Sequence, residues 1–229
     1  MPRSLGPSNA ALTLLLTAVA AFAAPAALAA PATTVQCGQV ITQDTKVAND
    51  LFGCPGSGLI VGADSVTLDL NGHTISADGD FDESEEAGVQ VRGFDGAVIK
   101  DGTLTHFVQV VNAGDFGRVN DTVIRDITGE GIFGLVFLVG DRNRVERGIF
   151  TGGGDGGLFV TGNDNVIFKN SIVGNWEFPI GVHGDRNRIT HNLIKAEENC
   201  QDLFDVSGSD NVIRHNDASG GGFCAFPPE

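Results

Sequence analysis

Two side chains that can carry out acid–base chemistry occupy similar positions in separate segments. His183 ends the run Ile-Gly-Val-His, and Asp205 lies inside the run Phe-Asp-Val-Ser. A histidine beside a carboxylic acid can serve β-elimination or hydrolysis as a general base and acid. His183 and Asp205 are therefore candidate catalytic residues. The alternative is that His183 is an ordinary surface histidine.

Aromatic side chains occur in two further segments of the same alternating pattern. Phe137 and Phe159 each lie between apolar residues that point to the opposite side of a strand. Such rings can stack on sugar rings, and Arg92, in an earlier segment of this kind, can bind a charged group. These three residues are candidate binding residues for a carbohydrate. The alternative is that neighbouring loops cover both rings.

Basic residues recur along the chain at intervals near 22 residues. They are Lys100, Arg125, Arg147, Lys169, His191 and His215. Burial of six cations is too costly, so we expect them to lie at a bend and to form an exposed stripe. Arg125, Arg147 and Lys169 would then bind an acidic polysaccharide or a cell-wall glycan. The alternative is a solvated ladder paired with local acids such as Asp101, Asp126 and Glu146.

An acidic segment spans residues 78–86. Asp78, Asp80 and Asp82 alternate in it and can offer oxygen ligands to Ca²⁺, the one cofactor that the sequence suggests. The glycine and glutamate of an EF-hand loop are missing, and a solvated acidic loop is the alternative. His191 and His215 are a conceivable metal pair, but the sequence shows no third ligand.

The overall charge restricts the class of partner. The 229 residues include 14 Lys and Arg against 29 Asp and Glu, a net charge of −15. A general nucleic-acid binder needs a basic face for phosphates, so no nucleic-acid partner is expected. Charged residues are 19% and hydrophobic residues 41%, which argues against a wholly disordered chain.

The N-terminal residues have the pattern of a targeting sequence. Arg3 precedes an apolar run from Ala11 to Ala24, and Ala27-Leu28-Ala29 fits a small-x-small cleavage site. We therefore expect a secretory signal peptide over residues 1–29 and an extracellular location. An uncleaved N-terminal anchor is the alternative, and no other segment is suited to span a bilayer.

An exported chain can keep disulfide bonds. The four cysteines, Cys37, Cys54, Cys200 and Cys224, form two separated groups and allow three pairings. We favour the local pairing, Cys37 with Cys54 and Cys200 with Cys224. CxxC spacing typical of a zinc site is absent.

The dominant sequence feature is an internal repeat. Aligning Val98, Val123, Val145, Ile167, Ile189 and Ile213 gives steps of 25, 22, 22, 22 and 24 residues. Asn or Asp recurs two residues before and three residues after most of these anchors. The segments Gly140–Arg144 and Gly184–Arg188 are identical, at a distance of two periods.

Each repeat reads as short strands separated by turns, without a helical stripe. Alternating pairs such as Val136 with Leu138, and Ile180 with Val182, place apolar side chains on one face. A single coil cannot bury these residues, but stacked coils pair their backbones and bury the columns. We therefore predict an all-β, right-handed parallel β-helix of about seven coils, with Asn and Asp at left-handed bends.

Residues 36–76, from Gln-Cys-Gly-Gln to Asp-Leu-Asn-Gly-His-Thr-Ile-Ser, resemble the entry segment of secreted right-handed parallel β-helix repeat proteins. This superfamily includes the NosD-type and pectate-lyase-like domains, and the resemblance extends over the whole chain after the leader. It implies the fold and a binding or catalytic role for the outer side of the first strands. The tyrosine-containing epimerase motif and the polygalacturonase and pectate-lyase catalytic motifs are absent, so no catalytic residue is carried over.

These observations predict three regions and a ranked set of functions. Residues 1–29 form the signal, residues 30–57 an N-terminal cap, and residues 58–229 the β-helix. The first function is non-catalytic binding of carbohydrate or cell-surface material. A polysaccharide-active lyase, hydrolase or epimerase and a purely structural extracellular protein are the alternatives.

Overall fold

The chain folds into a parallel β-solenoid. The computed structural model describes residues 31–80, 86–152, 154, 156–174, 178–196 and 203–220. Regular structure in these residues consists of β-strands, without a helix, and successive turns pair in parallel at a spacing near 22 residues. About eight turns stack in this way, so the predicted architecture is confirmed.

The strands form three faces, each a parallel sheet that runs along the stack. The first face contains β2 (Gln39–Ile41), β5 (Leu59–Val61), β8 (Ala87–Val91), β13 (Gly156–Thr161), β16 (Phe178–His183) and β19 (Phe204–Ser207). The second face contains β1 (Ala32–Thr33), β3 (Thr45–Val47), β6 (Thr67–Asp69), β11 (Arg144–Glu146), β14 (Val166–Phe168), β17 (Arg188–Thr190) and β20 (Val212–Arg214). The third face contains β4 (Leu51–Cys54), β7 (Thr74–Ala77), β12 (Ile149–Gly152), β15 (Ser171–Gly174), β18 (Leu193–Ala196) and β21 (Asp217–Gly220).

Two long strands bend from face to face. These are β9 (Val98–Ala113) and β10 (Val123–Val139), which pair with each other along most of their length and contribute to all three faces. The count of eight turns exceeds the predicted seven because β2, β3 and β4, before residue 58, already pair in register with the following turn.

Apolar side chains from every face fill the interior. The inward pairs of the first face match the predicted alternation: Val136 and Leu138, Leu158 and Val160, and Ile180 and Val182 are at most 1% exposed. Burial of each large apolar side chain contributes about 1.5–3 kcal/mol, so the stacked columns stabilise the fold. In the last described turn, Phe204 and Val206 are only partly buried.

The predicted alignment is wrong by one residue in two turns. Ile99 and Ile124, rather than Val98 and Val123, are fully buried and align with Val145. Both positions are pairs of adjacent β-branched residues, so hydrophobicity alone does not distinguish the inward one. A shift by one residue reverses every side chain of a strand, which is why the assignment matters.

Asparagines form two ladders through the stack and are buried except in the last described turn. One contains Asn143, Asn165, Asn187 and Asn211, and the other contains Asn170, Asn192 and Asn216. In each ladder the amide oxygen accepts a hydrogen bond from the backbone N–H one turn earlier, while the amide nitrogen donates to a backbone carbonyl, such as that of Gly140 for Asn165. These asparagines do not adopt the left-handed backbone expected for them. The residue just before each one does.

One disulfide bond closes the N-terminal end. Cys37 and Cys54 are joined, with 5.4 Å between their Cα atoms, as predicted. Cys200 and Cys224 lie outside the described residues, so their pairing stays a prediction, as does the signal peptide over residues 1–29. Among the described residues, no helix has the length and apolar character needed to cross a membrane.

Candidate binding surfaces on two faces of the solenoid

The outer side of the first face carries a continuous row of the predicted site residues. Strand pairing aligns Phe137, Phe159, Gly181 and Asp205 in one outward column. A neighbouring column aligns Thr161, His183 and Ser207. Residues that the sequence separates by 22 to 24 positions therefore lie side by side on consecutive turns.

The two phenylalanines of this row stack on each other. Their ring centroids are 5.9 Å apart with an interplanar angle of 16°, and both side chains are half-buried rather than covered. Gly181 follows them in the column, and a Cβ atom there would lie 2.6 Å from Cδ2 of Phe159. The absence of a side chain at Gly181 lets His183 lean towards Phe159, with 5.0 Å between the ring centroids.

His183 joins the aromatic part of the row to its polar part. Its Nδ1 lies 2.7 Å from Oγ of Ser207, and its Nε2 lies 3.3 Å from Oδ2 of Asp205. The His183 and Asp205 side chains are 33% and 39% exposed. The structure thus brings together both candidate catalytic residues and adds Ser207, which the sequence analysis missed. The alternation in Phe-Asp-Val-Ser already places Ser207 on the same side as Asp205.

Arg92 lies on the first face but away from this row. It belongs to a turn two turns before that of Phe137. Its Nε donates to Oε1 of Gln90 at 2.7 Å, and its guanidinium carbon lies 5.0 Å from the centroid of the Phe116 ring. Arg92 is therefore positioned by its own neighbours rather than by the phenylalanine row.

The predicted basic stripe divides into two sets. Lys100 and Arg125 lie within strands of the second face. The predicted anchors of these two turns were one residue too early, so Lys100 and Arg125 directly follow the inward residues and do not reach the bend. The other four occupy the left-handed corner after the second face, with φ between 53° and 61°: Arg147, Lys169, His191 and His215. The predicted bend is thus present, but the six residues do not form one column.

Acidic partners neutralise three of these six residues locally, namely Lys100, Arg125 and Arg147. Lys100 Nζ lies 2.6 Å from a carboxylate oxygen of both Asp69 and Asp101. Arg125 pairs with Asp126 at 2.6 Å. Lys169 has no ion-pair partner among the described residues, and its ammonium lies 5.0 Å from the centroid of the Phe168 ring.

Asp126 and Arg147 form the best-defined of these pairs. Arg147 donates from Nε and Nη2 to the two oxygens of Asp126 at 2.7 and 2.8 Å, and it also contacts Glu146. The hydrogen bonds from Arg147 lower the pKa of the Asp126 carboxyl. Burial opposes this effect, and Arg125 adds to it. Equivalent fork-like pairs join Arg142 to Asp121 and Arg186 to Asp164 at the other corner.

We expect Asp126→Asn to reduce stability at neutral pH and to have little effect in acid. Because the pKa of Asp126 is lower in the folded state, its ionised carboxylate stabilises the fold at pH values above the ordinary pKa of 3.8. This stabilisation is lost as the pH falls through the folded-state pKa. Asparagine tolerates the left-handed backbone, so the variant removes the charge and one acceptor oxygen without straining the corner. Because the side chain is 30% exposed, we expect a loss of about 1 kcal/mol or less near pH 7.

Urea unfolding at several pH values measures this difference. Asp217→Asn is the control, because Asp217 is exposed and has no ion pair with a described residue. A deficit of Asp126→Asn that stayed constant down to about pH 2 would contradict an electrostatic origin.

The proposed calcium ligands are only partly described. Oδ1 of Asp78 accepts a hydrogen bond from the backbone N–H of Asp80 at 3.0 Å, and Asp82 lies outside the described residues. In the described part of the chain, no three His, Cys, Asp or Glu side chains converge as they do around a metal ion.

A second group of outward residues lies on the second face, and of these the sequence analysis singled out only His191. A pocket of about 240 Å³ lies there, lined by Arg144, Val166, Phe168, Arg188, Thr190, His191 and Arg214. The identical segments Gly140–Arg144 and Gly184–Arg188 contained the signal, because alternation about Val145 and Ile189 turns both of their final arginines outward.

The chain is therefore a parallel β-solenoid with two candidate binding surfaces, the phenylalanine row on the first face and the arginine-lined pocket on the second. Comparison with family models, with curated proteins and with solved structures finds no match for this chain.

Proposed function

We propose that this protein is a secreted, non-catalytic β-helix protein that binds carbohydrate or cell-surface material through the first face. The single observation that carries the proposal is the continuous row of Phe137, Phe159, His183 and Asp205. The resemblance of residues 36–76 to secreted β-helix repeat proteins also supports it, as does the Cys37–Cys54 disulfide, which is typical of exported proteins.

The chemistry of the row suits a sugar ligand. Half-buried phenyl rings offer apolar surface to the C–H side of a sugar ring. His183, Asp205 and Ser207 offer hydrogen-bonding groups beside them for hydroxyl groups. Because the turns are about 4.8 Å apart, the row presents these contacts at regular intervals along the stack. A polymer lying along the axis can therefore contact several turns at once.

The double variant Phe137→Ala/Phe159→Ala should lose binding to the glycan that the wild type binds best in a glycan screen. Removing two stacking rings should weaken affinity about tenfold or more, as measured by titration calorimetry. Phe52→Ala, which removes a 69% exposed ring on the third face, is the matched control. Circular dichroism verifies that each variant is folded.

Two results would overturn this proposal. One is a folded wild-type protein that binds no glycan, which would leave the purely structural role. The other is a double variant that binds as tightly as the wild type.

A polysaccharide-active enzyme is the second candidate, and one observation favours it. The His183 imidazole contacts the Ser207 hydroxyl through one ring nitrogen and the Asp205 carboxylate through the other, an arrangement suited to nucleophilic or general-base catalysis. Incubation with the bound glycan, followed by assays for new reducing ends and unsaturated products, separates the candidates. Product formation that His183→Ala abolishes would favour the enzyme.

A further inference from the structure

The pocket on the second face arises because short and long outward side chains alternate along the stack. One outward column runs Arg144, Val166, Arg188, so a short side chain separates two long ones. The adjacent column runs Phe168, Thr190, Arg214, with the same order one turn later. Val166 and Thr190 therefore form the floor of a hollow whose walls are guanidinium groups and one phenyl ring.

Two of the arginines in the walls carry positive charge that no described acidic residue neutralises. Neither Arg188 nor Arg214 has an ion-pair partner among the described residues, and both are exposed. Among the residues that the structure describes, no carboxylate lines the pocket. By contrast, Lys100, Arg125, Arg142, Arg147 and Arg186 are paired with acids, in a chain with a net charge of −15.

Phe168 adds an apolar surface between these charges. The guanidinium carbon of Arg144 lies 5.4 Å from the centroid of its ring, and the His191 ring meets it edge-on at 5.5 Å. Arg144 is itself held by Glu146, so it and His191 brace the ring. Of the cations that line the pocket, Arg188 and Arg214 remain to engage a ligand directly. Lys169, whose ammonium lies 5.0 Å from the centroid of the same ring, is not among the lining residues.

These features select the chemistry of the ligand. Each guanidinium presents several N–H donors in a planar fork that matches oxyanions. Two forks on neighbouring turns approach a ligand from different directions, which suits the three oxygens of a tetrahedral oxyanion better than the two coplanar oxygens of a carboxylate. The volume of about 240 Å³ is below the usual range for ligand pockets of roughly 300–1,000 Å³, so the pocket suits one small ring with an acidic group.

We propose that the pocket formed by Phe168, Arg188 and Arg214 binds a phosphate or sulfate ester carried on a small ring, with the ring against Phe168 and the ester oxygens on the two arginines. Phosphate and sulfate esters share the tetrahedral oxyanion that this site would recognise. The site lies on a different face from the carbohydrate-binding row and is independent of the function proposed for that row.

Titration of the purified protein with phenyl phosphate, phenyl sulfate, benzoate and benzyl alcohol tests this assignment. We expect saturable binding of one or both esters that weakens as salt is added, because exposed charges are screened over about 10 Å at 0.1 M salt. Benzoate should bind at least about tenfold more weakly and benzyl alcohol not measurably. Phe168→Ala should reduce the affinity for phenyl phosphate to that for inorganic phosphate.

The double variant Arg188→Ser/Arg214→Ser should lose at least about tenfold in affinity for the ester. Arg118→Ser/Arg186→Ser is the matched control, since it removes the same charge from exposed arginines outside the pocket and should change the affinity less than about twofold. Phe137→Ala/Phe159→Ala should leave ester binding unchanged.

Several results would overturn the proposal. One is the absence of saturable binding by either ester. A second is benzyl alcohol or benzoate binding as tightly as the esters, and a third is an equal loss in the control double variant.

Discussion

Ile167→Asp is expected to abolish folding. Ile167 is 1% exposed and lies in the inward column between Val145 and Ile189. Aspartate at this position would bury a charge without a partner in a stack of apolar side chains, at a cost of several kcal/mol. That is comparable to the whole stability of an ordinary domain, so we expect little or no soluble, folded protein.

Ile149→Asp makes the same substitution at an exposed isoleucine and should be tolerated. Ile149 lies on the third face and is 53% exposed. Soluble yield and the thermal unfolding of both variants, followed by far-UV circular dichroism, measure the contrast. Equal loss of folded protein in the two variants would contradict the assignment of inward and outward positions.

Asn165→Ala is expected to cost about 2–5 kcal/mol in the free energy of unfolding. Asn165 is 2% exposed. Its Oδ1 accepts from the backbone N–H of Asn143 at 2.8 Å, and its Nδ2 donates to the carbonyl of Gly140 at 3.0 Å. Alanine would leave both backbone groups buried without partners, and water has no direct access to replace them.

Asn163→Ala provides the comparison two residues earlier. The Asn163 side chain also links turns, through the backbone N–H of Asp185 and the carboxylate of Asp141, but it is only partly buried. Water can therefore replace its contacts, and we expect a loss of about 1 kcal/mol or less. Urea denaturation at pH 7 measures both values. A loss in Asn165→Ala no larger than that in Asn163→Ala would show that the buried ladder does not stabilise the fold.

The repeat made the architecture predictable. A recurring interval near 22 residues and alternating pairs such as Leu158 with Val160 identify stacked parallel strands without any further information. The Cys37–Cys54 pairing was predicted from sequence proximity and is present. The register of two turns was not predictable, because Val98-Ile99 and Val123-Ile124 present two equivalent inward candidates.

The candidate sites were predictable only in part. Alternation placed Phe137, Phe159, His183 and Asp205 outward on one face, and the structure brings them into one row. The lean of His183 over Gly181 depends on the side-chain conformation, which a sequence pattern does not specify. The pairing of Arg147 with Asp126 similarly depends on which acid lies on the preceding turn.

The sequence by itself determined the fold class, the spacing of its turns and the identity of most inward residues. These properties follow from local periodicity, because a period of two residues assigns side chains to faces and the 22-residue interval assigns strands to turns. Only the tertiary structure determined which side chains become neighbours across turns, including Phe168, Arg188 and Arg214 around the pocket. Contacts across turns depend on register, which is set at the left-handed corner residues such as Asp126 and Arg147, where the chain leaves the strand.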